Sequence, residues 1–418
     1  MRSEEIIKST RQFPIWIYAL IGVVVLAAVV VVAAVGTGGV DPVPGTPSAG
    51  PAPAAPPAPA PTAALFVNPQ TGADTNDGSE GAPLRTIQAA LEAAAPGTQI
   101  TLAPGAYHEV LQTTHDGAPE APITIKGPET GTDRAGRYQA TLYGTGRVIS
   151  VDHSYYRFEG FTIDGQEQLA SVPFPTDLGA VDAFKDSVQA QVADSRLIYI
   201  GAGETTRDLT GITITNMFLH GAGGECIRMR NNAHDNTVTD SVIQYCGMFA
   251  KGDDDDDRTA YHNGEGVYIG TSPNSDEQPM AESDASSNNI VARNLIRTFG
   301  SECFNVKENA HGNVFEDNTC SDNTESVEDS GSNIELRGHD NVVRNNSISN
   351  SAGFSIKIAS EDQYDKGGNA IENNRLLSAV IALELDSDLP QGRMCGNTVQ
   401  AQALVAEDEP QLDIASPC

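Results

Sequence analysis

The amino-acid sequence predicts an all-β protein, folded as a single right-handed parallel β-helix. A short segment led by Asn recurs along the second half of the chain, and a segment of alternating apolar and polar residues precedes each copy. The 418 residues include 40 glycines, and only 6% are aromatic. Regular turns between short strands need this composition, whereas a helical bundle would need long apolar stripes at helical spacing.

The first repeat is an Asn followed by alternating apolar residues and a second polar turn. It reads NTVTDSVI from Asn236 and NVVRNNSI from Asn341, and its copies begin at Asn236, Asn289, Asn313, Asn341 and Asn369. The starts are 53, 24, 28 and 28 residues apart, and the longest interval contains an Asp run at 253–257 and a loop at 271–288. We expect coils of about 20–30 residues with two strands each, in which these Asn side chains stack as a turn ladder. A β-propeller would need a period of about 40–50 residues, which is absent.

The second repeat alternates with period 2. Its copies are GECIRMR (224–230), GEGVYIG (264–270), SECFNVK (301–307), GSNIELR (331–337), GFSIKIA (353–359) and VIALELD (380–386). The fourth and sixth positions are apolar and the fifth and seventh are mostly polar, which predicts a strand with one buried face.

The chain before these repeats is less regular. Segments between 98 and 165 are expected to form earlier coils, and TIQAALEAAA (86–95) is expected to form a short amphipathic helix. The open end of a β-helix is a sheet edge, and a helix there would cover it.

The N-terminal region predicts one transmembrane helix ahead of the folded domain. Residues 14–35 are apolar and uncharged, close to the ~20 residues that span a bilayer, and Arg2, Lys8 and Arg11 precede them. The positive-inside rule then places residues 1–13 in the cytoplasm and the remainder outside, as a single-pass protein of the cell membrane. A cleaved signal peptide is the alternative. Residues 36–63 are rich in Pro and Ala and are expected to be a linker, and the β-helix domain is expected to cover 64–418.

The net charge and the cysteine pattern limit the possible partners of the protein and its cellular compartment. The 56 acidic and 25 basic residues give a formal net charge of -31. Nucleic-acid binding depends on Lys and Arg at phosphates, so we expect no nucleic-acid partner. The six cysteines contain no CxxC pair, which favours disulfides outside the cytoplasm over a zinc site. They allow fifteen pairings, of which we expect Cys395–Cys418 as a C-terminal staple.

Two cations are predicted to stand side by side. The seventh position of the second repeat carries Lys307 in one coil and Arg337 in the next, which is unusual on so acidic a protein unless an anion binds there. The same outward face carries the substrate-binding candidates Arg228, Arg230, Tyr268 and Asn305. Its second position stacks Glu225, Glu265 and Glu302, whose repulsion would raise their pKa values or recruit a hard cation such as Ca²⁺.

Two stretches of sequence resemble known families. The opening from Asn68 to Glu109 resembles the start of many secreted, pectate-lyase-like β-helix proteins. The segments GEGVYIGTS (264–272), NLIRTFGSECFNVKENAHGNVFEDNT (294–319) and NIELRGHDNVVRNN (333–346) resemble the calcium-assisted chondroitinase B and alginate lyase family. The resemblance implies the right-handed β-helix fold and β-elimination on a polysaccharide that contains uronic acid.

Roles for individual residues follow from the second resemblance. It implies that Lys307 is the base that removes the proton next to the uronate carboxyl group, and that Arg337 is the acid or a charge partner. Glu302 corresponds to one calcium glutamate of the family, and Gly300 stands where the family has another. His339 corresponds, shifted in position, to a histidine that follows the arginine, and it is a further candidate for substrate binding. A Lys beside an Arg is expected to have a lowered pKa, as a base requires.

Two other functions remain open at this point. A non-catalytic β-helix could bind glycan at the cell surface with the same cations. A glycoside hydrolase would need two carboxylates about 5–10 Å apart, and Glu335 and Glu384 are expected about 10 Å apart on strands two coils apart.

Overall fold

The computed structural model describes residues 59–128, 138–201, 203, 208–249, 264–273, 283–326, 331–360, 363–405 and 412–418. The predicted cytoplasmic tail, the apolar segment 14–35, most of the linker and the Asp run at 253–257 lie outside these ranges. Within them, no helix is long and apolar enough to cross a membrane.

The described chain from Ala63 onward winds into three parallel sheets, with strands numbered β1 to β31 in chain order. Sheet 1 contains β1 (Ala63–Val67), β2 (Thr98–Leu102), β5 (Ile123–Lys126), β8 (Tyr156–Glu159), β11 (Thr213–Thr215), β14 (Thr237–Thr239), β17 (Ile290–Ala292), β20 (Val314–Glu316), β23 (Val342–Arg344), β26 (Ala370–Glu372) and β29 (Met394–Cys395). Sheet 2 contains β3 (Gly105–His108), β6 (Ala140–Tyr143), β9 (Thr162–Asp164), β12 (Phe218–Ala222), β15 (Val242–Cys246), β18 (Leu295–Arg297), β21 (Thr319–Asn323), β24 (Ser347–Ser351), β27 (Arg375–Leu377) and β30 (Thr398–Gln400). Sheet 3 contains β4 (Leu111–Gln112), β7 (Gly146–Val151), β10 (Ser195–Ile200), β13 (Ile227–Met229), β16 (Val267–Ile269), β19 (Phe304–Val306), β22 (Ser332–Leu336), β25 (Phe354–Ala359), β28 (Ile381–Asp386) and β31 (Ala403–Val405).

Each strand pairs in parallel with the equivalent strand of the next coil, which confirms the β-helix. The expectation of two strands per coil is wrong, because the Asn-led repeat contains two strands rather than one. In the repeat from Asn236, β14 and β15 are separated by Asp240 and Ser241, and Asp240 has a φ of 53°. A residue in this left-handed conformation ends an extended strand and turns the chain into the next sheet.

The predicted asparagine ladder is confirmed. A second asparagine ladder lies in the short turn between the two strands of each repeat. Asn313 is fully buried, donates from Nδ2 to Oδ1 of Asn341 at 3.1 Å and accepts at Oδ1 from Nδ2 of Asn289 at 2.9 Å. The second ladder repeats this pattern through Asn294, Asn318, Asn346, Asn374 and Asn397. Both ladders satisfy buried turn amides, and so hold the coils in one register.

The core lies inside the coil and is closed at its N-terminal end by a helix. Ile, Val, Leu and Phe side chains of all three sheets fill it. Helix α1 (Ile87–Ala93) buries Ile87, Ala90 and Leu91 against this core, which confirms the predicted cap. Its N-terminal amides of Ile87 and Gln88 donate to the Glu109 carboxylate at 2.9 and 3.0 Å.

A side layer and three disulfides complete the domain. Helix α2 (Val181–Val188) and the 3₁₀ turns Glu167–Leu169, Leu178–Ala180 and Gln189–Gln191 belong to an insertion between β9 and β10, which packs on Tyr245 and Phe299. The disulfides are Cys226–Cys246, Cys303–Cys320 and the predicted Cys395–Cys418.

Candidate functional site

The outer face of sheet 3 carries the predicted polar ladder. The fifth positions stand in register on successive strands, in the order Tyr199, Arg228, Tyr268, Asn305, Glu335, Lys357 and Glu384. Their side chains point away from the core, as the period-2 pattern predicted. However, Tyr268, Asn305 and Glu335 are 6% exposed or less, so these positions are not the freely solvated ones expected of a surface ladder.

Lys307 and Arg337 are neighbours on this face. Pairing of β19 with β22 places them in register, and their side chains keep 13% and 23% of their surface accessible. Arg337 is held by Glu308, a fully buried carboxylate that follows Lys307 in the chain. The pair is therefore ordered by ion pairs, and both side chains are still accessible from outside.

Glu335 is the centre of the charged cluster. Its carboxylate lies 3.4 Å from Nζ of Lys357, 3.7 Å from Nζ of Lys307 and 3.9 Å from Nη1 of Arg337, and it accepts a hydrogen bond of 2.9 Å from Asn305. Burial alone would raise the pKa of Glu335, but the three surrounding cations lower it to about 2. Glu335 is therefore ionised and has three cations within 4 Å. Two of them have a second acidic neighbour, which is Glu308 for Arg337 and Glu265 for Lys307.

The pKa of Lys307 does not move in the expected direction. Burial alone would lower it, but the interactions of its ammonium with Tyr268, Glu335 and Glu265 raise it, against a smaller opposing effect of Arg337. The expectation of a lowered pKa took account of the arginine and not of the carboxylates on both sides. Lys307 is an ammonium ion at neutral pH in this structure.

The three glutamates of the second position lie on three successive coils, as predicted. Glu225 is fully buried and is bound by Arg196 at 2.6 Å and by Arg228 at 2.9 Å. Burial, with the neighbouring carboxylates, raises the pKa of Glu265 to about 8 and also raises that of Glu302. The expected direction is confirmed for the pKa values of Glu265 and Glu302, although burial contributes more than repulsion.

These glutamates do not converge as metal ligands. Within the described ranges, no group of three or more His, Cys, Asp or Glu side chains is placed to hold a metal ion. Glu225 is engaged by two arginines, and Glu302 accepts a hydrogen bond from Ser301. Calcium binding by Glu302, Glu265 and Glu225 therefore stays a prediction, and no chemical step below uses it.

Two buried oxygen atoms near Lys307 have no hydrogen-bond partner among the described residues. They are Oε2 of Glu265 and Oδ1 of Asn305, in residues that are 3% and 1% exposed. The remaining polar atoms of the two side chains face each other, since Nδ2 of Asn305 lies 3.5 Å from Oε1 of Glu265. An unpaired buried polar atom costs free energy, so these oxygens are positions where a bound polar molecule would be stabilised.

Rings and cations alternate along the same face. The guanidinium carbon of Arg147 lies 4.3 Å from the ring centre of Tyr199, and that of Arg228 lies 5.4 Å from Tyr199 and 4.6 Å from Tyr268. Nζ of Lys307 lies 4.9 Å from the ring centre of Tyr268. We call this series of five side chains the axial stack, because its members belong to five successive coils, from Arg147 in β7 to Lys307 directly after β19.

The structure buries Arg230, one of the predicted binding residues, and leaves 12% of the His339 side chain accessible. Arg230 is 1% exposed and donates to Thr271 at 3.0 Å and to the Tyr199 hydroxyl at 2.9 Å, so the prediction that it contacts substrate is not supported. Strand β13 ends at Met229, so Arg230 lies beyond it. The inward and outward alternation of side chains along the strand therefore does not apply to Arg230. His339 lies in the turn after β22, where its ring stacks on His311 with centres 4.8 Å apart.

Two sequence comparisons match parts of the chain. Residues 70–172 match a family described as "Protein of unknown function (DUF1565)", and these residues contain α1 and strands of the first coils. A 65-residue stretch is 42% identical to "Uncharacterized protein YwoF" of Bacillus subtilis (strain 168). That stretch is 16% of this chain and 14% of that protein, so the match spans a small part of either.

Solved structures match over most of the chain. An alginate lyase from Paenibacillus sp. str. FPU-7 is 16% identical, with a TM-score of 0.56, over 85% of this chain and 97% of that one. The pectate lyase Pel9A is 15% identical, with a TM-score of 0.53, over 83% of this chain and 78% of that one. At this identity the likeness concerns the fold alone. The chain has the right-handed parallel β-helix fold of pectate lyase and alginate lyase structures.

Proposed function

We propose that this protein acts on an acidic polysaccharide that contains uronic acid, which it binds on the outer face of sheet 3 and cleaves by β-elimination. The observation that carries the proposal is the cluster of Lys307, Arg337 and Lys357 within 4 Å of one carboxylate. On a chain with a net charge of -31, three cations at one partly accessible place favour an anionic ligand. The alginate lyase and the pectate lyase of the same fold support a polysaccharide as that ligand.

In the proposed reaction, the neutral Lys307 amine takes the proton from the carbon that bears the uronate carboxyl group. The electron pair of that C–H bond forms the new C=C bond, and the bond to the departing glycosidic oxygen breaks. The departing oxygen takes a proton from water. Arg337 neutralises the substrate carboxylate, which makes the adjacent proton acidic enough to remove. Arg337 cannot serve as the acid, because a guanidinium is not deprotonated in proteins.

Binding without cleavage is the second candidate. The raised pKa of Lys307 favours it, because the ammonium form binds a carboxylate and cannot accept a proton. In this case Lys307 and Arg337 form an anion clamp, and the same polysaccharide class is the ligand.

Hydrolysis by Glu335 and Glu384 is not favoured by any contact described above. A glycoside hydrolase needs one carboxyl group that is protonated near neutral pH. The pKa of Glu335 is lowered to about 2, so Glu335 could not be that acid.

One experiment separates elimination from binding. The full chain, purified in mild detergent, is incubated with polygalacturonate, alginate and chondroitin sulfate at several pH values, with and without Ca²⁺. Ultraviolet absorbance reports the unsaturated product, and a parallel sedimentation assay reports binding. Product formation supports the lyase; binding without product under every condition supports the clamp, and the absence of both contradicts the proposed function. Release of product only with Ca²⁺ would support the calcium prediction.

The proposal includes anchoring at the outer surface of a membrane. It rests on the apolar residues 14–35, on the three basic residues before them and on the three disulfides of the β-helix. Disulfides persist in oxidising compartments, which agrees with an outward-facing domain. After expression of the full chain, protease added to intact cells should degrade the β-helix from outside, and the protein should sediment with membranes. Recovery in the soluble fraction would favour the cleaved signal peptide.

A further inference from the structure

Glu308 is a buried carboxylate that holds one edge of the Arg337 guanidinium. It lies in the turn directly after β19, is fully buried, and reaches Arg337 after β22 on the next coil. Nε and Nη2 of Arg337 both contact the same oxygen, Oε1 of Glu308. The other oxygen, Oε2, is also buried and has no hydrogen-bond partner among the described residues. One acceptor oxygen is therefore enough to hold this edge of the guanidinium.

A different nitrogen of the same guanidinium faces the charged cluster. Nη1 of Arg337 lies 3.9 Å from Oε1 of Glu335, which is beyond hydrogen-bond distance. Glu308 and Glu335 thus attract different nitrogens of one cation, and the contact with Glu308 is the closer one. Without Glu308, the attraction of Glu335 would draw Arg337 into a direct hydrogen bond, since an ionised donor and acceptor form the strongest contact when they are close.

Closure of Arg337 onto Glu335 would oppose the binding of an anionic ligand. The proposed function needs the Arg337 guanidinium to neutralise the uronate carboxyl group, and 23% of the Arg337 side chain is accessible for this contact. A guanidinium that is hydrogen-bonded to Glu335 attracts a second carboxylate less, because the two carboxylates repel each other. A carboxylate that holds Arg337 by its other edge prevents this closure.

We propose that Glu308 is a positioning residue, whose hold on the Nε and Nη2 edge keeps Arg337 directed at the carboxyl group of the bound uronate and prevents its closure onto Glu335. This inference rests on the proposed function. It adds a residue that does not touch the polysaccharide and acts through Arg337. The negative charge of Glu308 also offsets part of the repulsion between Arg337 and its register neighbour Lys307.

Two substitutions of Glu308 separate its position from its charge. Glu308→Gln loses the charge but keeps an acceptor oxygen at the same reach, and Arg337 uses one oxygen only. Glu308→Asp keeps the charge, but its carboxylate is one methylene shorter and recedes from Arg337. The matched control is Glu316→Asp on sheet 1, because Nε and Nη2 of Arg344 contact a single oxygen of Glu316 in the same way, at 2.7 and 2.6 Å.

Binding of polygalacturonate, alginate and chondroitin sulfate is measured by calorimetry with the full chain in mild detergent, and thermal melting checks the folding of each variant. Glu308→Asp should raise the Kd about tenfold, as loss of a charged hydrogen bond does. Glu308→Gln should lower the Kd, since a negative charge near the bound anion is removed while Arg337 stays in place. Glu316→Asp should bind as wild type does.

Weaker binding by Glu308→Asp, without weaker binding by Glu308→Gln, supports the inference. A Kd of Glu308→Asp at or below that of wild type overturns it, and so does an equal rise in both variants. If Glu308→Asp does not fold, Glu308→Met takes its place: loss of charge alone would lower its Kd, whereas loss of position should raise it. If wild type binds none of the three polymers, the proposed function fails and the inference with it, so the two failures are distinguishable.

Discussion

At the scale of single residues, the charge state of Lys307 decides what the site can do. The lysine lies between the carboxyl groups of Glu335 and Glu265, 3.7 and 4.0 Å away, and its pKa is raised. A protonated lysine binds and neutralises anions well, but it must lose its proton before it can act as a base. The same contacts that order Lys307 therefore oppose its catalytic form at neutral pH.

This charge state predicts an alkaline rate profile for elimination. Only the neutral amine is active, so the rate should rise about tenfold for each pH unit while the pH stays below the raised pKa. Glu335→Gln removes the nearest negative charge, which should lower the pKa of Lys307 and move the profile toward lower pH. The initial rate of unsaturated product, measured across buffers of equal ionic strength, checks both statements. A profile that is highest in acid would exclude Lys307 as the base.

Substitution of Lys307 separates its charge from its basicity. Lys307→Arg keeps the cation next to Glu335 and should retain polysaccharide binding. Because a guanidinium cannot accept the proton, product formation should fall by about 10²–10⁴-fold. Lys307→Met should lose both properties. Rates and Kd values of the two variants check this, and an Arg variant with wild-type rate would assign the base elsewhere.

At the scale of secondary-structure elements, the turns hold the site strands in register. Asn289, Asn313 and Asn341 hydrogen-bond one another through buried side-chain amides, in the turns that follow sheet 3 and lead into sheet 1. Disruption of one rung leaves buried donors and acceptors unpaired on both sides. The ladder is therefore part of what sets Lys307 against Arg337.

Asn313→Ala should destabilise the domain. Its Oδ1 accepts from two groups of Asn289, and its Nδ2 donates to Asn341 and to the Ser286 carbonyl. We expect a loss of about 1–3 kcal/mol in the free energy of unfolding, measured by denaturant titration. Gln191→Ala, at an exposed amide, is the control and should stay within about 0.5 kcal/mol of wild type. Equal stability of both variants would show that the ladder contributes little.

At the scale of the whole molecule, charge opposes the proposed ligand. The net charge of -31 repels a polyanion at long range, while the cations on sheet 3 attract it at contact. Salt screens the long-range repulsion over about 10 Å at 0.1 M and affects the partly buried ion pairs less. The two effects can therefore be separated by ionic strength.

Association of a polyuronate should become faster as NaCl rises from about 0.01 to 0.1 M, where the Debye length falls from about 30 to 10 Å. Above this range, weakening of the direct ion pairs should lower the affinity. Association rates from a surface-binding assay with immobilised polymer check the first part. Rates that fall steadily from the lowest salt would mean that the local cationic face, rather than the net charge, controls the encounter.

Local sequence patterns are enough to predict the solenoid and the neighbouring residues on its outer face. The asparagine repeats and the period-2 segments are local patterns, and parallel stacking converts equal positions into spatial neighbours. Lys307 beside Arg337 and the fifth-position ladder could be predicted for this reason. The capping helix and the Cys395–Cys418 bridge could be predicted from local sequence outside the repeats. The number of strands per coil could not, because only the left-handed φ of residues such as Asp240 splits one apparent strand into two.

The pairing of the charges, by contrast, depends on the packing of neighbouring coils. Burial of Arg230, the hold of Glu308 on Arg337 and the position of Glu335 among three cations depend on side-chain directions across three or more coils. A pKa is set by all charges within several ångströms and by burial, neither of which is encoded at one position of a repeat. The sequence alone therefore placed the candidate site on sheet 3, and the packing of neighbouring coils fixed Lys307 there as a protonated cation.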